Sequence, residues 1–226
     1  MDHHTDRQPS DSFGAAALLA LAGGFLDAYT YLCRGGVFAN AQTGNMVLLG
    51  VRAAEGRWRE AAAYLAPIGA FALGVLIAEV IKQVHRRSGR FHWRHTVLAA
   101  EIAALAAAAL LPVGRWDSVV NVLVSFVCAL QVETFRKVRG YPFASTMCTG
   151  NLRSGTDALY HGLTRHDREL VKKAGCYFAV ILCFILGAAL GGLLAPRAPQ
   201  LAVLIPAAFQ LAVFFLMWES HPAFPE

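Results

Sequence analysis

Six apolar stretches, residues 14–33, 61–81, 96–112, 118–135, 174–194 and 201–218, leave this chain few ways to fold. Five of them carry at most one charged residue, and the sixth has Glu60 just outside its start and Glu79 near its end. Runs of about 18 or more apolar residues read as membrane-spanning helices, because a helix satisfies its own backbone hydrogen bonds in lipid. Only 15% of the 226 residues are charged, against about 25% in an ordinary soluble domain. The expectation is therefore an all-α integral membrane protein with six transmembrane helices in a single membrane domain, and the lipid bilayer as its first partner.

The net charge of +5 gives no nucleic-acid signal, since Lys and Arg gather between the apolar stretches. The leader "MDHHTDRQPSDS" lacks the basic region of a signal peptide, so residues 14–33 count as a span and residues 1–13 as a polar leader. Cys33, Cys128, Cys148, Cys176 and Cys183 form no CxxC pair and read as small buried apolar residues. The eight histidines show no HExxH or clustered pattern, so neither a metal nor a cofactor is expected. Trp58, Trp93, Trp116 and Trp218 lie close to the ends of spans, as an interfacial aromatic belt requires.

Thr-Gly-Asn occurs twice, at 43–45 in "VFANAQTGNMVLLG" and at 149–151 in "PFASTMCTGNLRSG". Laying Thr43 on Thr149 sets an offset of 106 residues, which also lays Asp27 on Glu133, Gly69 on Gly175, and spans 61–81 and 96–112 on 174–194 and 201–218. Phe38 and Phe143 need a one-residue shift in that register. Each half, 14–112 and 118–218, thus reads as a span with a late acid, a TGN segment and two further spans.

Loop charge bears on whether the TGN segments cross. If they do not, one side of the membrane holds Arg7, the five basic residues from Lys82 to Arg94 and the eight from Arg136 to Lys173, fourteen of the 20 Lys and Arg. If they do, the split is close to even. The positive-inside rule favours six spans with both termini cytoplasmic. Three spans per half is an odd number, so the halves are expected to be inverted, as in many transporters. The first TGN segment then lies on the outer side and the second on the cytoplasmic side.

The block "GGFLDAYTY…FANAQTGNMVLLG", with the second TGN, is similar to the YoaK-like family of small bacterial integral membrane proteins, domain of unknown function 1275. The resemblance covers nearly the whole chain. It implies a bacterial inner (plasma) membrane location and a multi-pass topology, and no activity. Relatives tend to keep an amide near the second acid, where this chain has Gln131 and Glu133.

Each TGN segment is expected to be a re-entrant hairpin. Residues 34–43 run inward extended, and a helix of about 44–56, roughly 18 Å long, returns. Gly44 permits a backbone conformation that other residues resist, and Thr43 and Asn45 can cap the helix. Two inverted copies would aim two helix N-termini at one centre, a place for an anion or polar oxygen. The candidate binding residues are Asp27, Asn40, Thr43, Gly44, Asn45, Gln131, Glu133, Thr149, Gly150 and Asn151; no catalytic residue is assigned. Asp27 has a structural alternative, a hydrogen bond to its TGN backbone. Glu133 can sit at the rim beside "RKVR", which leaves Gln131 as the deeper candidate. Glu79 and Glu101 are expected at the interface, and Asn121 in a helix–helix hydrogen bond. Arg153, Asp157 and His161 fit one exposed helix face, and "GAALGG" at 187–192 fits close packing within the bundle or in a homodimer.

These features favour a small transporter or channel for a small polar solute or ion. A membrane enzyme has only Cys148 as a tempting nucleophile, and a non-transporting scaffold is the other alternative.

Overall fold

The computed structural model describes residues 11–88 and 93–219. Residues 1–10, most of the expected leader, and 89–92, within the expected basic loop, lie outside that set. Eight α-helices carry the described fold: α1 Phe13–Cys33, α2 Gln42–Ala54, α3 Trp58–Ser88, α4 Trp93–Ala109, α5 Asp117–Thr134, α6 Cys148–Thr164, α7 Arg168–Leu194 and α8 Leu204–Glu219. A two-stranded hairpin, β1 Lys137–Val138 and β2 Tyr141–Pro142, lies between α5 and α6. Its two turn residues, Arg139 and Gly140, both have positive φ (50° and 84°), the geometry that matches strand twist in a two-residue turn and that glycine takes without strain.

Four helices are long and apolar enough to cross a membrane: α1, α3 (Trp58–Val84), α5 and α7 with the 3-10 turn after it (Arg168–Arg197). The expected spans 96–112 and 201–218 correspond to α4 and α8, of 17 and 16 residues, shorter than the other four. At about 1.5 Å per residue each is roughly 25 Å long. The chain is a multi-pass helical membrane protein.

Burial sorts the helices into two kinds. The apolar windows of α1 and α5 are 61% and 56% buried, those of α3 and α7 only 28% and 22%. The first pair forms the centre and the second turns wide apolar faces outward. Leu76 and Val80 on α3 are exposed, as are Leu182 and Leu186, which stand 106 residues later on α7. Apolar area exposed on this scale suits lipid rather than water. The largest core cluster joins Phe25, Leu26 and Tyr29 of α1 to Leu105 of α4, Val124 and Cys128 of α5, and Ala207 of α8.

Helix packing follows the same pairing in both halves. α1 packs mainly on α7, and α5 on α3; α2 packs on α3, and α6 on α7; α1 also meets α8, and α5 meets α4. The first helix of each half therefore lies against the third helix of the other. Small residues bring α1 and α7 close: a Cβ on Gly24 would fall 2.0 Å from the Phe184 carbonyl oxygen, and one on Gly187 would fall 2.1 Å from that of Leu21. The "GAALGG" glycines 187 and 191 thus serve packing within the bundle. All four tryptophans stand at or beside a helix end, as expected.

Candidate functional site

The two TGN segments share one local architecture. α2 begins after Ala41 and α6 after Met147, positions 106 apart with similar backbone angles (φ −80°, ψ 67° and φ −98°, ψ 72°). Asn45 Oδ1 accepts the Phe38 N–H at 3.1 Å, and Asn45 Nδ2 donates to the Phe38 carbonyl at 2.6 Å. Asn151 repeats this on Ala144, at 3.3 and 2.7 Å. Each asparagine thereby replaces both backbone partners that a sheet neighbour would have supplied to the loop ahead of its helix.

This corrects the capping expectation. Neither helix start has a side-chain cap, and Asn45 sits in the first turn reaching backwards. Gly44 is helical, without a left-handed φ. Its lack of a side chain matters because a Cβ there would meet the Phe38 ring at 3.0 Å. Thr43, Thr149 and Gly150 are exposed and stand apart from the buried polar centre. Phe38 and Phe143 are not counterparts: Val37 and Phe143 are, and both are buried, while Phe38 stacks on Tyr31 at 4.7 Å.

The two loops converge on α1. Asp27 Oδ1 accepts the Asn40 N–H at 2.7 Å, and the Ala39 and Ala41 amides also face this carboxyl. Successive backbone N–H groups turned toward one anion make a concave binding nest. Asn40 Nδ2 donates to the Gly23 carbonyl at 2.9 Å. The second loop arrives at the same glycine: a Cβ on Gly23 would fall 2.6 Å from the Thr146 methyl. Thr146 is the counterpart of Asn40, so residues at one repeat position close on Gly23 from two loops. Asp27, Asn40 and Thr146 keep 7% exposure each. Cys148 and Cys128 lie within electrostatic range of Asp27. Among the described residues Asn40 Oδ1 has no hydrogen-bond partner.

On the second half the aligned acid does something else. Glu133 pairs with Arg136 at 3.1 Å and approaches Lys82 at 3.9 Å, which places it with the rim charges. Gln131 takes the inner role. It is 1% exposed, donates to Ser145 Oγ at 2.7 Å and to the Leu19 carbonyl at 3.2 Å, and so ties the second loop to α5 and α1.

Three polar residues of the centre escaped the sequence reading. Glu101, expected at the interface, is fully buried on α4 and accepts from Gln210 Nε2 at 2.8 Å. Gln210 on α8, also fully buried, lies 3.4 Å from Gln131 Oε1. Arg34 is the third: wholly buried, it bonds Tyr29 Oη, the Leu111 and Pro112 carbonyls and Asp117. Asn121 donates to the Arg34 carbonyl at 2.7 Å, the expected interhelical bond. Arg153 and Asp157 are exposed on one face of α6, as expected, with His161 3.6 Å from Asp157.

The family model described as Protein of unknown function (DUF1275) matches residues 15–216, and the chain belongs to that family. No curated protein and no solved structure matches it.

Proposed function

For this DUF1275 chain we propose a small transporter or channel that moves a small polar solute or ion past the centre formed by Asp27, Asn40, Thr146 and Gln131. The observation that carries this reading is the meeting of both TGN loops at Gly23, four residues from a carboxyl on a helix otherwise built for lipid and core. Irregular backbone at membrane depth is tolerated where it is buried in protein or lines a path, and an acid there is costly enough to need a purpose.

The reading includes an inverted repeat. Six helices cross, α2 and α6 each enter part way, and the halves have opposite orientation. The common packing pattern of the two halves and the two Asn-to-loop clasps support it. The asparagines hold the loops; the solute meets Asp27 and the residues around Gly23. Both termini face the cytoplasm of a bacterial cell in this scheme, and the protein sits in the inner membrane.

Purified protein in liposomes, tested against a panel of small polar solutes and inorganic ions, checks the activity. Flux that Asp27→Asn abolishes while the protein stays folded is the expected result. Unchanged flux in that variant removes Asp27 from the path, and no flux across the panel favours a scaffold. Topology has a separate test. In a background without native cysteines, Ala54→Cys should react with an impermeant reagent from outside and Arg165→Cys only from the cytoplasm. Both positions are exposed beside the turns that follow α2 and α6. Reaction of both from one side refutes the inversion.

A further inference from the structure

We infer that Glu101 is a proton-binding site whose state is passed to the second TGN loop through Gln210, Gln131 and Ser145. The inference deepens the transport reading: its use rests on that reading, its chemistry does not.

Two buried oxygens, one on α4 and one on α8, lack partners among the described residues. Glu101 and Gln210 are both 0% exposed and touch through Gln210 Nε2 and Glu101 Oε2 at 2.8 Å. Their other two oxygens, Glu101 Oε1 and Gln210 Oε1, have no hydrogen-bond partner among the described residues. Both are acceptors, and an acceptor buried without a donor costs about 1–3 kcal/mol. One hydrogen resolves the mismatch. With a proton on Glu101 the carboxyl becomes a donor, and an acid facing a primary amide can close a ring of two hydrogen bonds, O–H to amide oxygen and amide N–H to acid oxygen. A hard metal cation fits less well, because it asks for about six oxygens and the acid offers two.

Among the described residues the surroundings supply no opposite charge. α8 carries no charged residue before Glu219, so it presents Gln210. α5 presents Gln131 and Cys128, whose thiol is within electrostatic range of Glu101 and Asp27. The other acid late on α5, Glu133, is engaged with Arg136 and Lys82, and Glu79 on α3 with Lys82. His95, on α4 itself, lies against Phe214 and Trp218. Among the described residues Glu101 makes no ion pair, so a proton is the simplest compensation for its charge.

The step is a plain acid–base exchange. A proton from water binds a Glu101 carboxylate oxygen, the new O–H donates to Gln210, and release restores the carboxylate. Re-aiming the Gln210 amide alters its 3.4 Å approach to Gln131 Oε1, and Gln131 Nε2 is what holds Ser145 ahead of α6.

Infrared spectroscopy of the protein in bilayers reads this without any transport assay. The expected result is a protonated-carboxyl stretching band that falls as pH rises, is lost in Glu101→Gln and survives in Asp27→Asn. Gln210→Leu keeps the acid and removes its amide partner, so the band should move to higher frequency; this arm stands even if Glu101→Gln fails to fold. A pH-dependent carboxyl band unchanged in both Glu101→Gln and Gln210→Leu overturns the inference. So does a Glu101 signal that responds to sodium at constant pH and ignores pH. Missing flux with the band present sinks the transport reading alone.

Discussion

Asn45 and Asn151 make the same two hydrogen bonds, each to the N–H and the C=O of the residue seven positions before it. A single side chain thus ties the first turn of a short helix to the loop that precedes it, and the chain does so twice. The role suits asparagine, since one amide carries a donor and an acceptor on separate atoms. Asn45→Ala and Asn151→Ala each leave a part-buried N–H and C=O without partners, so each should cost about 1–3 kcal/mol. Aspartate keeps the acceptor and loses the donor, and should fall between. Thermal unfolding in detergent, followed with a thiol-reactive dye, checks the order.

The close passage of α1 against α7 predicts a sharp contrast among glycines. Gly24→Ala and Gly187→Ala push a methyl into backbone carbonyls 2.0 and 2.1 Å away, and backbone cannot turn aside as a side chain can. Each should lose about 1–3 kcal/mol or more as the helices part. Gly192→Ala meets nothing within 4 Å, and replaces a helix glycine with a stronger helix former, so it should be neutral or gain about 0.5–1 kcal/mol. The midpoint of thermal unfolding separates the two classes.

Arg34 joins the end of α1 to the loop before α5. Its guanidinium serves four acceptors, Asp117 among them at 3.1 Å. Removing one partner of a buried ion pair costs about 3–5 kcal/mol, and Arg34→Ala belongs at the lower end because Asp117 keeps 22% exposure and can rehydrate. Arg34→Lys should not rescue it, since an ammonium cannot reproduce the planar fork. Yield of folded protein and its unfolding temperature report the loss.

Much of this was legible in one sequence. The offset of 106 places Ala41 on Met147, Asn45 on Asn151 and Phe38 on Ala144, the positions that share structure. The rim position of Glu133 was legible from the neighbouring "RKVR", but its partner Lys82 and the role of Glu101 were not. Glu133 aligns with Asp27, but Lys82 and Arg136 lie within reach and hold it in ion pairs. Lys82 comes from α3, and pairing between helices leaves no mark in the order of residues. Glu101 stands eight residues into α4, near enough to the polar "HWRH" to look interfacial, and its partner Gln210 is a lone amide in an apolar run. Helical periodicity says that such residues share a face; which face is covered depends on how α4 and α8 meet. Arg34 is hidden in the same way, since its partners beyond α1 come from the loop before α5 and from Asp117.

Beyond the candidate spans, the turn after α2 carries its own pH dependence. Hydrogen bonds from Arg52, at 2.9 Å, and then Arg57, at 3.2 Å, hold the Glu55 carboxyl below its ordinary value of 4.5. A folded-state pKa below the unfolded one means stability that is present above the unfolded value and lost as pH falls through the folded one. Glu55→Gln should therefore lower the unfolding temperature slightly at neutral pH. The difference should vanish in acid below the ordinary carboxylate range, and should shrink in high salt because the cluster is exposed.

Asp27 separates structural from functional loss most cleanly. Its Oδ1 holds the Asn40 N–H at 2.7 Å, so Asp27→Ala strips a buried loop of its acceptor and should destabilise by about 1–3 kcal/mol. Asp27→Asn keeps a carbonyl oxygen for that bond and replaces the second oxygen with a donor beside the Ala39 and Ala41 amides. Its cost should be smaller, about 1 kcal/mol, because one acceptor remains. The charge is gone in both. If Asp27 only anchors the loop, flux should track unfolding temperature across wild type, Asn and Ala. If the carboxylate meets the solute, Asp27→Asn should lose flux while its unfolding temperature stays near wild type. Measuring both quantities on the same three preparations decides between an anchor and a binding group.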